Sequence, residues 1–157
     1  RRFVKDQSFD QLICVAIAKH SDFKLEGIED ERTLLHARLI RDADKLDNCR
    51  VKLEESMETL LDMDEKTVGA SPISPKGWES CKAEESVLSA DRKTGMDYWM
   101  SYLALYFDIN FPETYQIIKE QDYIRRIAER VPYSREDTKE KVAYTVKKLE
   151  EKMNIQP

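Results

Sequence analysis

Near the start of the chain the apolar residues Phe9, Leu12, Ile13, Ala16 and Ile17 recur three and four positions apart, which predicts an amphipathic helix. Ser8 followed three positions later by Gln11 has the form of a capping box, so the helix is expected over about Ser8 to His20. Its stripe continues to His20, which should point inward. After a polar connection over residues 21–27, Asp30 is placed to cap a second helix carrying Leu34, Leu35, Leu39, Ile40, Ala43 and Leu46. The periodic pattern resumes as a third helix over RVKLEESMETLLDM and stops at DEKTVGASPISPKG, whose two glycines and two prolines predict the main loop.

Further on, Ser74 before Pro75 predicts a short helix through Trp78 and Cys81. Thr94 and Asp97 form a second capping box, and behind it GMDYWMSYLALYFDI is the most apolar stretch, expected at the centre of the fold. Asn110 and Pro112 open another helix, Pro132 ends the one containing YIRRIAERV, and Ser134 is expected to cap a last charged helix ending near Met153. With no convincing period-two stretch, the pattern predicts an all-α bundle of about six to eight helices and no sheet. Residues 1–157 read as one helical domain, in which 1–63 and 94–157 are helical parts joined by a loop and short helix over 64–93.

Composition agrees with a helical domain bearing charged outer faces. The chain has 157 residues, 41% hydrophobic and 36% charged, with 4 glycines and 5 prolines. Its net charge of −5 disfavours a nucleic-acid polymer as partner. The three cysteines, Cys14, Cys49 and Cys81, have no CxxC spacing, which argues against a disulfide framework and points to a reducing cytoplasm. Apolar runs are too short for a membrane span, so no membrane partner is expected. The chain begins RRFVKDQSF without a methionine, which reads as a fragment or processed form.

The segment RDADKLDN holds three aspartates, Asp42, Asp44 and Asp47. On a wheel at about 100° per residue, Leu35, Leu39, Ala43 and Leu46 define the buried centre of this helix. Asp42 then falls at one edge and is expected to be mostly solvated. Asp47 falls inside the apolar arc, where a carboxylate needs a buried partner. Asp44 lies on a flank that can face a cleft, and His20, from the preceding helix, should line the same cleft. The plainer alternative is a solvated face in which the three acids pair with Arg41, Lys45 and Arg50. His36 reads as structural.

The run ending IAKH, followed by DERTLLHARLIRDADKLDN, resembles the second half of an HD-superfamily domain, a helical metal-dependent phosphohydrolase. The same Ala-Asp-basic-Leu-x-Asn pattern occurs in the hydrolase domain of stringent-response enzymes, and MDYWMSYLALYFDINFPETY is similar to the C-terminal helices of one bacterial HD-hydrolase subgroup. The resemblance implies that Asp44 is a metal ligand and that His20 contacts the phosphate or assists proton transfer. Lys45 and Asn48 would contact substrate or order the surrounding groups. It further implies a divalent metal, among Mn, Fe, Co, Ni, Zn and Mg, and a small phosphorylated substrate such as a nucleotide. The histidine and His-Asp pair that complete the family's ligand set are missing here and would precede Arg1. A non-catalytic helical binding or regulatory module is therefore the alternative, and this chain alone is expected to be inactive.

Overall fold

In the computed structural model, which describes residues 7–155, helices follow one another with no strand among the described residues. Nine α-helices are present among them, with two 3-10 turns, so the protein is all-α. The helices are α1 (Asp10–Lys19), α2 (Glu31–Glu54), α3 (Met57–Leu61), α4 (Glu65–Ala70), α5 (Pro75–Lys82), α6 (Gly95–Ala104), α7 (Pro112–Glu120), α8 (Tyr123–Glu129) and α9 (Glu136–Ile155). No helix among the described residues is long and apolar enough to cross a membrane.

The count exceeds the expected range by one, through α4, and one expected boundary also moves. The predicted third helix is divided: α2 runs on to Glu54, and Ser56 then caps the separate α3 by accepting from the Thr59 amide. The predicted main loop contains α4, whose first amides, on Lys66 and Thr67, donate to the Asp64 carboxylate. Gly69, read as a helix breaker, sits inside α4 because the Pro132 backbone approaches closely. A Cβ there would lie 2.4 Å from the Pro132 carbonyl oxygen.

The Ser8–Gln11 capping box is not what starts α1. The amide of Asp10 donates to the Gln7 carbonyl across a turn at 8–9, and the N-cap is Phe9, with no side-chain cap. Ser134 does not cap the last helix either, since α9 starts at Glu136 directly after Arg135, and the Ser134 amide donates to the Gly69 carbonyl. Three other capping signals work as the sequence predicts. Asp30 accepts from the Thr33 amide, Ser74 from the Gly77 amide, and Thr94 and Asp97 form a reciprocal capping box.

As expected, α6 is central. Met96, Trp99, Met100, Leu103 and Ala104 are fully buried in one continuous apolar core with residues from α2, α5, α7, α8 and α9. The Asp97 carboxylate, also fully buried, accepts from the amides of Ser74, Lys93 and Thr94, which fastens the start of α6 to that of α5.

Helix α2 departs most from expectation. Its buried residues are Thr33, Ala37, Arg41, Asp42, Lys45, Cys49 and Lys52, while Leu35 and Leu39 are 51% and 54% exposed. The wheel was therefore phased on the wrong face. The polar face turns inward because it finds partners far along the chain. Arg41 and Lys45 both bond the Asp108 carboxylate. Asp42 accepts from the backbone and side-chain amides of Asn110 and from the Phe111 amide. Asp42, expected to be solvated, is 2% exposed. Asp47, expected to be buried, is exposed and bonds Arg50 one turn on. Helix α1 lies along α2, burying Ala16 but leaving Phe9, Ile13 and Ile17 exposed.

Candidate functional site

A cavity of about 500 Å³ opens where three pieces of chain meet: the end of α1 with the following loop, the middle of α2, and residues 86–92 with the adjoining face of α6. His20, Asp44 and Lys45 all line it, as do Asp22, Arg41, Arg92 and Asp108. Asn48 is not among its lining residues.

Helical spacing explains the α2 contribution. Arg41, Asp44 and Lys45 lie three and four positions apart, so one side of the helix presents all three. Their situations differ. The Lys45 ammonium donates to both the carboxylate and the backbone carbonyl of Asp108. Arg41 donates to the same carboxylate and, on the other side, to the carbonyls of His20 and Asp22. These bonds clamp the loop after α1 to the middle of α2 and fix the rim carrying His20.

Burial pulls the pKa of Lys45 below the ordinary lysine value, partly offset by its bond and attraction to Asp108. Burial acts on Asp108 in the opposite sense, raising its carboxyl. The hydrogen bonds and charges of Lys45 and Arg41 outweigh that, and the net direction is down. A single carboxylate thus answers two cations. The Lys45 side chain is only 6% exposed, so the ammonium serves this clamp first.

Asp44, by contrast, has no salt bridge among the described residues. Its side-chain partner is Asn48, whose amide donates to Oδ2 at 3.2 Å and to the Asp44 backbone carbonyl at 2.9 Å. Asn48 therefore steadies the carboxylate from within the helix. The His20 ring is also oriented locally: its Nδ1 lies 2.6 Å from the Ile17 carbonyl. Since a carbonyl only accepts, Nδ1 carries the proton and Nε2 is left as the nitrogen free to accept a proton or bind a cation.

Among the described residues no three or more His, Cys, Asp or Glu side chains converge in a way that could hold a metal ion. Asp44 and His20 supply one carboxylate and one imidazole to the cavity wall, short of the three protein ligands usual at a catalytic metal. The residues present do not fit a complete metal centre.

The sequence pattern gave no reason to single out Asp108 or Arg92. Asp108 lies in a 3-10 turn within the apolar stretch already likened to HD-hydrolase C-terminal helices, which assigned it no role, and Arg92 in a polar connection outside any motif. The only available signal was Asp108 as a lone acid at the end of the apolar run behind α6. Comparison of the chain with protein-family models, with curated proteins and with solved structures finds no match.

Proposed function

We propose that this cavity is the substrate site of an HD-type phosphohydrolase, with Asp44 offering a carboxylate to a divalent cation and His20 serving the phosphate or a proton in transit. The observation that carries the reading is that the unpaired Asp44 carboxylate and His20, from separate helices, line one cavity. His20 presents an imidazole whose Nε2 is free, suited to accepting a proton or stabilising charge beside a phosphoryl group. Asn48 holds the Asp44 carboxylate in place, and Lys45 and Arg41 hold the wall through Asp108. A divalent cation would polarise a phosphoryl oxygen and activate water. Its full ligand set needs groups beyond the described residues.

The second reading is a binding module that takes an anionic ligand without turning it over, favoured by the absence of a metal-holding cluster among the described residues. Metal analysis of the purified protein, followed by hydrolysis of a chromogenic phosphate ester with added manganese, separates the two. Metal-dependent turnover abolished by Asp44→Ala, with the melting temperature unchanged, supports the hydrolase. Ligand binding without turnover or bound metal, both in this chain and in a form extended upstream of Arg1, supports the binding module.

A further inference from the structure

Each charged side chain lining the cavity forms a salt bridge among the described residues except two. Asp22 pairs with Lys19 at 2.9 Å, and Asp108 takes both Arg41 and Lys45. That leaves Asp44 on α2 and Arg92 on the segment leading into α6. Neither forms an ion pair among the described residues. The two are of opposite sign and come from different elements around the same space, and Asp44 feels the longer-range attraction of Lys52 on its own helix.

Arg92 is held for this position from both sides. Its own amide closes the 3-10 turn Ser89–Asp91 by donating to the Ser89 carbonyl, while the next two amides, of Lys93 and Thr94, are fixed on the buried Asp97 carboxylate. Asp91 is anchored in turn by Lys76 at 3.2 Å. The guanidinium lies over the Tyr98 ring, 4.9 Å from its centroid.

Within that setting its polar atoms are poorly served. Nε is buried without a partner, and the one protein hydrogen bond of the group, from Nη1 to the Ser101 hydroxyl, is long at 3.5 Å. A guanidinium stays charged at any physiological pH and presents a planar fork that matches phosphate or carboxylate oxygens two at a time. A guanidinium on a cavity wall with no salt bridge among the described residues and only one long hydrogen bond is a receptor for such an anion. Around it, Ser101 adds a hydroxyl, and Val87, Tyr102 and Leu105 an apolar surface.

We propose that Arg92 is the anion-binding residue of this cavity, receiving a phosphate group of the ligand while Asp44 on the other wall faces its cationic part or an accompanying cation. The proposal rests on the reading of this cavity as a ligand site. It does not depend on hydrolysis, because anion capture needs neither a metal nor turnover.

The test is titration of the full chain with inorganic phosphate, without metal, by calorimetry and by the chemical shifts of the His20 ring. Wild type is expected to bind saturably. Arg92→Gln should weaken binding at least tenfold, and Arg92→Lys, which keeps the charge but not the fork, should fall between. Asp44→Asn should bind phosphate as well as wild type or better, since it removes a negative charge from the site. Circular dichroism of each variant confirms that it is folded. If Arg92→Gln destabilises the chain, Arg92→Lys alone decides, because a phosphate affinity equal to wild type overturns the proposal. So does wild type that fails to saturate, or Arg92→Gln that binds normally. Phosphate binding lost in Arg92→Gln, where neither this chain nor a form extended upstream of Arg1 hydrolyses an ester, would overturn the hydrolase reading and leave this one standing. Turnover abolished by Asp44→Ala but indifferent to Arg92→Gln in both kcat and KM would do the reverse.

Discussion

Helices α2 and α6 invert each other. In α6 burial follows hydrophobicity: Met96, Trp99, Met100 and Leu103 are inside, and the one buried acid, Asp97, is satisfied at the helix start by amides. In α2 the inward face carries Arg41, Asp42, Lys45 and Lys52, while Leu35 and Leu39 face outward. The difference lies in what the neighbouring chain offers. Helix α6 meets apolar surface from several helices, and non-directional burial stabilises it. Helix α2 meets the turn at 108–111, which presents a carboxylate and free backbone amides, and directional bonds to these outweigh the burial that the leucines forgo. A helix that anchors a cavity wall through polar groups can hold charged side chains in place at its surface. An apolar helix of the α6 kind cannot.

The same substitution on the two helices should therefore have very unequal consequences. The largest expected effect is at Leu103, fully buried in the core, where Leu103→Ala should cost about 3 kcal/mol of unfolding free energy through lost burial and the cavity left behind. Denaturant unfolding measures it, and a loss comparable to that at an exposed leucine would break the contrast.

Next comes Asp42→Ala, which strands the backbone amides of Asn110 and Phe111 in a buried place and should cost about 2 kcal/mol or more. A near-neutral result would mean that the polar face of α2 is not what holds it inward. Asp47→Ala, at an exposed pair with Arg50, is the control and should change stability by no more than about 0.5 kcal/mol.

A more graded effect comes with pH. The Asp108 carboxyl is held below its ordinary value of 3.8, so its ionised form stabilises the folded chain. That contribution is complete above the ordinary value and is lost as the pH falls through the lowered one. Melting temperatures recorded between neutral pH and about pH 2 should therefore fall, the drop attributable to this clamp lying below the ordinary carboxylate range. Asp108→Asn should be less stable at neutral pH and should lack that part of the acid dependence. A variant with an unchanged acid limb would show that the clamp is not linked to folding. The smallest effect is expected at Leu39, 54% exposed, where Leu39→Ala should change stability by about 0.5 kcal/mol or less.

Much of the fold was legible in the linear pattern because helix starts are local. Asp30, Ser74 and the Thr94–Asp97 box bond amides two or three residues away, and Pro112 and Pro132 mark helix boundaries through their own rings. The centrality of α6 was legible too, since a stretch apolar on most sides has nowhere to go but inside. Helix α4 was misread because Gly69 signals a break in isolation and a close approach in context.

At the candidate site, RDADKLDN directed attention to the stretch of α2 that lines the cavity, and the run of the first helix directed it to His20. Which of the three aspartates would be buried was not legible. A helical wheel ranks faces by hydrophobicity alone, and the partners of Asp42 lie 68 and 69 positions away. The roles of Asp108 and Arg92 were illegible for the same reason, since each acquires meaning only from what surrounds it.

The sequence by itself determined the all-helical class, the starts of α2, α5, α6 and α7 and the apolar identity of the central helix, because each depends on backbone and side-chain groups within a turn or two of one another. Only the tertiary structure decided which face of α2 turns inward, and which charges in the cavity are answered and which are left open. Those outcomes depend on the Coulomb and hydrogen-bond partners that folding brings together, and two side chains 67 positions apart, such as Arg41 and Asp108, have no interaction until the chain has closed around them.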